Sequence, residues 1–218
     1  MRSEFEKKFV DLVRQPIKSE EEIAQMHLFR DLFQNELKDE MKELYKDLSI
    51  MGIECSDIWD LVNIRKSYKN GIEILIKHLS NNYHDKNKEG IIRALTTKEA
   101  KGKAGSALIL EYNKTPKEKD NLRWVIANAI SIVMTSIDIN WVVSSINNKA
   151  NGYSRRPLVI ALGNFKSENK EDVLIALLDD DEVVPQAICA LDMLKSNKAK
   201  ERISRLLKSP NSLIRLEA

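Results

Sequence analysis

The side chains in this chain best suited to chemistry are three histidines (His27, His78, His84), two cysteines (Cys55, Cys189), the acidic run Asp179-Asp180-Asp181-Glu182 and three tryptophans (Trp59, Trp124, Trp141). Histidines would ligate a metal or move protons, but these three show neither HxH nor HExxH spacing. Each sits among ordinary helix or turn residues and reads as a surface or half-buried histidine. The cysteines lie 134 positions apart, with no CxxC pair, so neither a disulfide framework nor a thiolate metal site is expected. Oxygen ligands in the acidic run would suit a hard cation, yet the run lacks the alternating spacing and the glycine of a calcium loop. Acids just before a helix starting near Glu182 are favoured by capping and by the helix dipole. No GxxxxGK followed by Ser or Thr, no GxGxxG and no GxSxG occurs, and glycine is scarce, so no phosphate cradle is expected. The expectation is a chain without metal, cofactor or catalytic constellation.

The composition sets the frame for these residues. In 218 residues there are 7 Gly and 5 Pro, 43% hydrophobic and 31% charged residues. This is too apolar for a disordered chain, too charged for a membrane protein and short of turn residues for a many-stranded fold. It leans helical. Thirty-five basic residues face 33 acidic ones, a net charge of +2, which provides no overall field toward phosphate backbones or anionic lipid. By segment, residues 1–50 carry −3, residues 51–120 +3 and residues 121–218 +2, so no basic arm exists. The longest nearly apolar stretch, Trp124 to Met134, is 11 residues, below the 18 or so that a spanning helix needs. Acids in MRSEFEKKFV break what would be the basic start of a signal peptide. A cytoplasmic location follows as the expectation.

The elements that would position these residues recur. A nine-residue pattern appears as NKEGIIRAL (87–95), LRWVIANAI (122–130), SRRPLVIAL (154–162) and VVPQAICAL (183–191), with a half copy at Ile214, Arg215 and Ala218. Its fifth position reads Ile91, Ile126, Leu158, Ala187 and Ala218, at spacings of 35, 32, 29 and 31. Those are helix-pair periods. Small and apolar residues at i, i+3 and i+4 share one helical face, and alanine there lets neighbouring helices approach. Each copy precedes a second amphipathic segment: Lys103 to Asn113, Ile139 to Asn147, Glu171 to Leu178 and Lys200 to Leu207. Ser56 to Asn63 and Gly71 to Leu79 make an earlier pair. About five pairs therefore span residues 55–218, the last incomplete, separated by polar turns.

Residues 1–54 differ. A short helix over 3–14 is followed, after Pro16, by Ser19 and Glu22 in capping-box spacing and by apolar residues at helical spacing, which predict one long or broken helix over 19–50. The segment reads as a helical cap on the end of the repeat array, and its helices would mediate any weak dimer. Otherwise the chain is expected to be monomeric.

The repeated pattern resembles the HEAT repeats of bacterial proteins, in particular the HEAT-like kind of the phycobilisome lyases, over residues 55–218. SRRPLVIALGNFKSENKEDVLIALLDDD and EVVPQAICALDMLKSNKAKERISRLLKSPN carry it best. The second position, usually Arg, reads Lys88, Arg123, Arg155, Val184 and Arg215, so its polar stack is interrupted at the fourth copy. The resemblance implies an all-α fold, an α-α superhelix or α-solenoid with an N-terminal cap, whose stacked pairs leave an extended concave surface. Aligned second helices would line that surface with Glu73, Ser106, Asn140, Asp172 and Glu201, and with Lys77, Leu110, Ser144, Ala176 and Arg205 beside them. The expected function is that of a non-enzymatic scaffold, regulator, assembly factor or immunity-type protein that binds a protein partner there.

Two other readings follow from the resemblance. Some HEAT-like proteins are alkylpurine DNA glycosylases, which hold a damaged nucleotide against tryptophans beside a catalytic acid and arginines. Here Arg123, Trp124, Asp138, Trp141 and Arg155 would form that set, but no basic stripe flanks it, and packing between repeats is the blander role of the tryptophans. Nucleic acid is therefore not the expected partner. A chromophore lyase or chaperone-like protein is the third reading. Neither cysteine is placed for chromophore work, since Cys189 is expected in the core.

Overall fold

The computed structural model describes residues 3–64, 66–165 and 168–218. Among these residues all regular structure is helical, and no helix is long and apolar enough to cross a membrane. The chain divides into two compact units, residues 1–94 and 95–218. The division falls within what the repeat alignment reads as the copy beginning at Asn87.

The first unit opens with α1 (Glu4–Arg14), capped by the Ser3 hydroxyl, which accepts from the Glu6 N–H at 3.0 Å. α2 (Glu20–Glu40) starts at the capping box read from the sequence. Glu22 N–H donates to Ser19 Oγ and Ser19 N–H donates to Glu22 Oε2 at 2.8 Å. The hairpin of α1 and α2 stacks Phe5 on Phe29. The helix expected over 19–50 breaks at Met41, whose ψ of −1° ends α2 and starts α3 (Lys42–Ile50). The break turns the Met41 side chain into the core with Leu44 and Leu48, all three fully buried. α4 (Ile58–Asn63), α5 (Ile72–Leu79) and α6 (Asp85–Leu95) complete the unit. A Cβ at Gly90 would meet Ile58 Cγ2 at 2.4 Å, so a missing side chain sets the approach at this position.

The second unit contains α7 (Gly105–Lys114), α8 (Asp120–Val133), α9 (Ile139–Asn147), α10 (Arg156–Leu162), α11 (Glu168–Ala176), α12 (Val184–Leu194), α13 (Lys200–Leu206) and α14 (Ser212–Glu217). The expected second helices are recovered as α7, α9, α11 and α13, within a few residues of their predicted ends. First helices of successive copies pack together. α10 lies on α8, α12 on α10 and α14 on α12, while α7 packs on α8 and α11 on α12. Ile126, Leu158 and Ala187 at the fifth position have no exposed surface, and Ile91 has none in the first unit. Burying one such Ile or Leu contributes about 1.5–3 kcal/mol, above the roughly 0.7 kcal/mol spread of helix propensity among ordinary residues. The column therefore fixes the register.

Close approach is set by small residues at the eighth position, where Ala129, Ala161 and Ala190 are buried. At Gly163, just past α10, an added Cβ would lie 2.9 Å from the Ala190 Cα and carbonyl oxygen. The obstacle is backbone, which cannot rotate away. Gly163→Ala is therefore expected to lower unfolding stability by about 1–3 kcal/mol, read from urea denaturation; an unchanged midpoint would show that α10 and α12 do not need this contact.

Candidate functional site

The second position of the repeat supplies the most constrained polar groups of the second unit. Arg123, near the start of α8, is 5% exposed and Arg155, just before α10, is 1% exposed. Arg123 Nη1 donates to the carbonyls of Tyr112 at 3.0 Å and Thr115 at 2.8 Å, at the end of α7. Its Nη2 reaches Asn151 Oδ1 at 2.9 Å, and the guanidinium stands 4.0 Å from the Tyr112 ring centre. Arg155 repeats the scheme one copy on. It donates to Ile146 O near the end of α9, to Gly152 O, and with both Nη atoms to the Asp180 carboxylate at 2.9 and 3.3 Å. The hydrogen bonds from Arg155 hold the Asp180 carboxyl below the usual aspartate range, against the opposing effect of burial. Arg215 again donates to the carbonyls after the preceding helix, Ser209 and Pro210.

Of the five residues of the nucleic-acid reading, the structure brings Arg123 and Trp141 together, both against Tyr112. Trp141 meets that ring edge-on at 5.2 Å. Asp138 is buried and caps the turn before α9, accepting from Thr135 N–H at 2.8 Å and from Thr135 Oγ1. It also lies against α7, where a Cβ at Gly105 would stand 3.1 Å from its Oδ2. Arg155 is held by Asp180, and Trp124 stands half-buried on α8. Arg155 and Asp138 thus have structural partners of their own.

The residues expected on the binding surface are all exposed: Glu73 and Lys77 on α5, Ser106 on α7, Asn140 and Ser144 on α9, Asp172 on α11, and Glu201 and Arg205 on α13. Several are paired. Lys77 meets Asp47 at 3.0 Å, Asp172 meets Lys198 at 3.6 Å, and Glu201 pairs with Arg205 one turn on. Such exposed pairs are worth about 0–1 kcal/mol and yield readily to a partner.

Between α7, the start of α8 and α9 lies a cavity of about 250 Å³ that these sequence readings did not anticipate as a unit. Tyr112, Lys117, Arg123, Trp141, Ser144 and Asn148 are among its lining, which contains no acidic side chain. Three of the six came from two separate sequence readings, Arg123 and Trp141 from one and Ser144 from the other. Tyr112, Lys117 and Asn148 were missed, because they lie at the end of α7 and in the turns after α7 and α9, outside the nine-residue pattern.

The remaining titratable groups act as ties. In the first unit His78 is buried, more deeply than expected, with Nε2 on Asp47 Oδ2 at 3.0 Å and Nδ1 on the Tyr83 hydroxyl at 2.6 Å. His78, followed by Lys77, holds the Asp47 carboxyl below its ordinary value. His84 places Nε2 3.2 Å from Glu6 Oε2, accepts the Lys86 N–H at Nδ1, and donates its own backbone N–H to Glu40. His27 is exposed. Within the acidic run, Asp179 pairs with Arg202, Asp180 with Arg155, and Asp180 also accepts the Glu182 N–H. Cys189 is half-buried where a core position was expected, because its Sγ turns to the Glu217 carboxylate at 3.0 Å. Burial first, then Glu217, pushes its thiol up to about 11, and burial with nearby acids does the same at Cys55. Among the described residues no His, Cys, Asp and Glu group could hold a metal ion. Comparison with family models, with characterised proteins and with solved structures finds no match for this chain.

The depressed Asp180 carboxyl links stability to pH. A carboxylate whose folded pKa lies below its unfolded value of about 3.9 stabilises the fold fully above that value and loses the contribution as pH falls through the folded pKa. Wild type should lose stability below about pH 4 more steeply than Asp180→Asn, measured by urea midpoints from pH 7 down to pH 2.5. Parallel curves would mean that the Arg155 pair adds nothing beyond a neutral hydrogen bond.

Proposed function

We propose that this chain is a non-enzymatic scaffold of HEAT-like helix pairs that binds a protein partner through the exposed side chains of its second helices. The observation that carries the reading is the division of labour in the second unit. First helices are spent on packing, with their fifth and eighth positions buried and their arginines turned onto backbone carbonyls. Second helices hold out short polar and charged groups such as Asn140, Ser144, Asp172 and Arg205. Stacked pairs of this kind need their neighbours for burial and leave the opposite face free for recognition.

The DNA-glycosylase reading is less well supported, since the Arg155 guanidinium is closed by the Asp180 carboxylate and Asp138 is bound to Thr135. For chromophore attachment, a thiol pushed up to about 11 is a poor nucleophile near neutral pH.

Charge on the second helices should then govern binding. In pull-downs from source lysate with nuclease present, the double variant Lys77→Glu with Arg205→Glu is expected to lose about tenfold in partner recovery, equivalent to about 1.4 kcal/mol. Both side chains are exposed, so circular dichroism and melting should stay as in wild type. Undiminished recovery would remove these helices from the binding surface, and recovery abolished by nuclease in the wild type would replace protein with nucleic acid as the partner.

A further inference from the structure

We propose that the cavity between α7 and α9 is a carboxylate-binding site, filled by an acidic side chain or by a chain-terminal carboxylate. It deepens the protein-binding reading, on which it rests only for the source of the carboxylate.

Two arginines in the same repeat position have different surroundings. Arg155 meets a carboxylate, Asp180, with both Nη atoms. Arg123 is nearly as deeply buried, but its partners are two carbonyls, the Asn151 amide oxygen and the Tyr112 ring, all of them neutral. No carboxylate among the described residues pairs with it. A buried guanidinium without a counter-charge is costly, and an arriving carboxylate recovers much of that cost through charge-assisted hydrogen bonds. Arginine has five N–H donors. Two on Nη1 and one on Nη2 are used, which leaves Nε–H and a second Nη2–H without a protein acceptor among the described residues.

The cavity meets that need. It borders Arg123, admits Lys117 as a second, exposed cation, and offers the Ser144 hydroxyl and the Asn148 amide as further donors. The Trp141 ring, edge-on to Tyr112, borders the otherwise polar lining and can cover the carbon atoms next to the carboxylate. A volume of about 250 Å³ fits one side chain or one chain end. Planarity favours carboxylate over phosphate, because the Arg155 pair shows the same scaffold holding a planar carboxylate against this arginine column.

The test is an NMR titration of the full-length 15N-labelled chain, following the Trp141 indole N–H, assigned through Trp141→Phe. Four probes are compared: N-acetylaspartate N-methylamide, with a side-chain carboxylate; N-acetylglycine, with a terminal one; the neutral N-acetylasparagine N-methylamide; and inorganic phosphate. A saturable shift with either acid, at least tenfold tighter than with the neutral amide, is the expected result, and the tighter of the two acids identifies the source. Ser144→Asp places a carboxylate at the exposed rim and Lys117→Glu removes the second cation. Each should weaken acid binding at least fivefold while the rest of the spectrum stays unchanged. No saturable shift, equal shifts with the neutral amide, tighter binding of inorganic phosphate, or full binding by Ser144→Asp would each overturn the proposal. Failure here with the Lys77 and Arg205 dependence intact would remove the site and leave the scaffold reading; carboxylate binding without a protein partner would do the reverse.

Discussion

The arrangement of residues 95–218 depends on arginines buried at the joints between successive helices. The last carbonyls of a helix have no partner within it. Tyr112, Thr115 and Ile146 at the ends of α7 and α9 are buried, and an unpaired buried carbonyl costs about 1–3 kcal/mol. Arg123 and Arg155 supply the missing donors from the following helix. Taking a guanidinium out of water is itself expensive, so the net stabilisation of each joint is modest. The larger effect is on geometry: a planar donor with several fixed directions accepts only one placement of the helix end, the next turn and the arginine's own helix.

The joint at Val184 shows what happens without the arginine. Here the chain after α11 tightens into a 3-10 turn over Leu177–Asp179, and Asp180 N–H bonds Leu177 O at 3.1 Å. A 3-10 segment also leads up to Arg155, over Lys149–Arg155, but at Val184 backbone donors close the helix end with no arginine beside them. Val184 is then free to be apolar and is buried. The acidic residues after this turn are accordingly structural, Asp180 serving the Arg155 joint and Asp179 a surface pair with Arg202.

The periodic part of this design is legible in the sequence. Apolar residues at the fifth position and alanines at the eighth locate the buried faces, because burial acts on each residue separately and repeats with the helix. Polar partnerships are far less legible. The acceptors of Arg123 lie 8 and 11 residues before it and 28 after it, in a helix end and two turns whose lengths vary between copies. His78 and His84 likewise find Asp47 and Glu6 at 31 and 78 residues' distance. A long or broken helix over 19–50 is legible but the place of its break, at the buried Met41, is not, because residues on both sides keep helical apolar spacing.

The contrast between the two arginines turns on the same irregularity. Asn151 follows Arg123 by 28 residues and Asp180 follows Arg155 by 25, so alignment by helix register does not place the two partners in one column. An amide oxygen satisfies the direction of one guanidinium N–H but carries no net charge, whereas a carboxylate satisfies direction and charge together. One joint is therefore electrostatically closed and the other is left positive beside an open cavity with no acid in its lining. A repeat otherwise devoted to packing acquires, through one turn residue, a local preference for an anionic group, and the other side chains around that cavity then determine which anion it accepts.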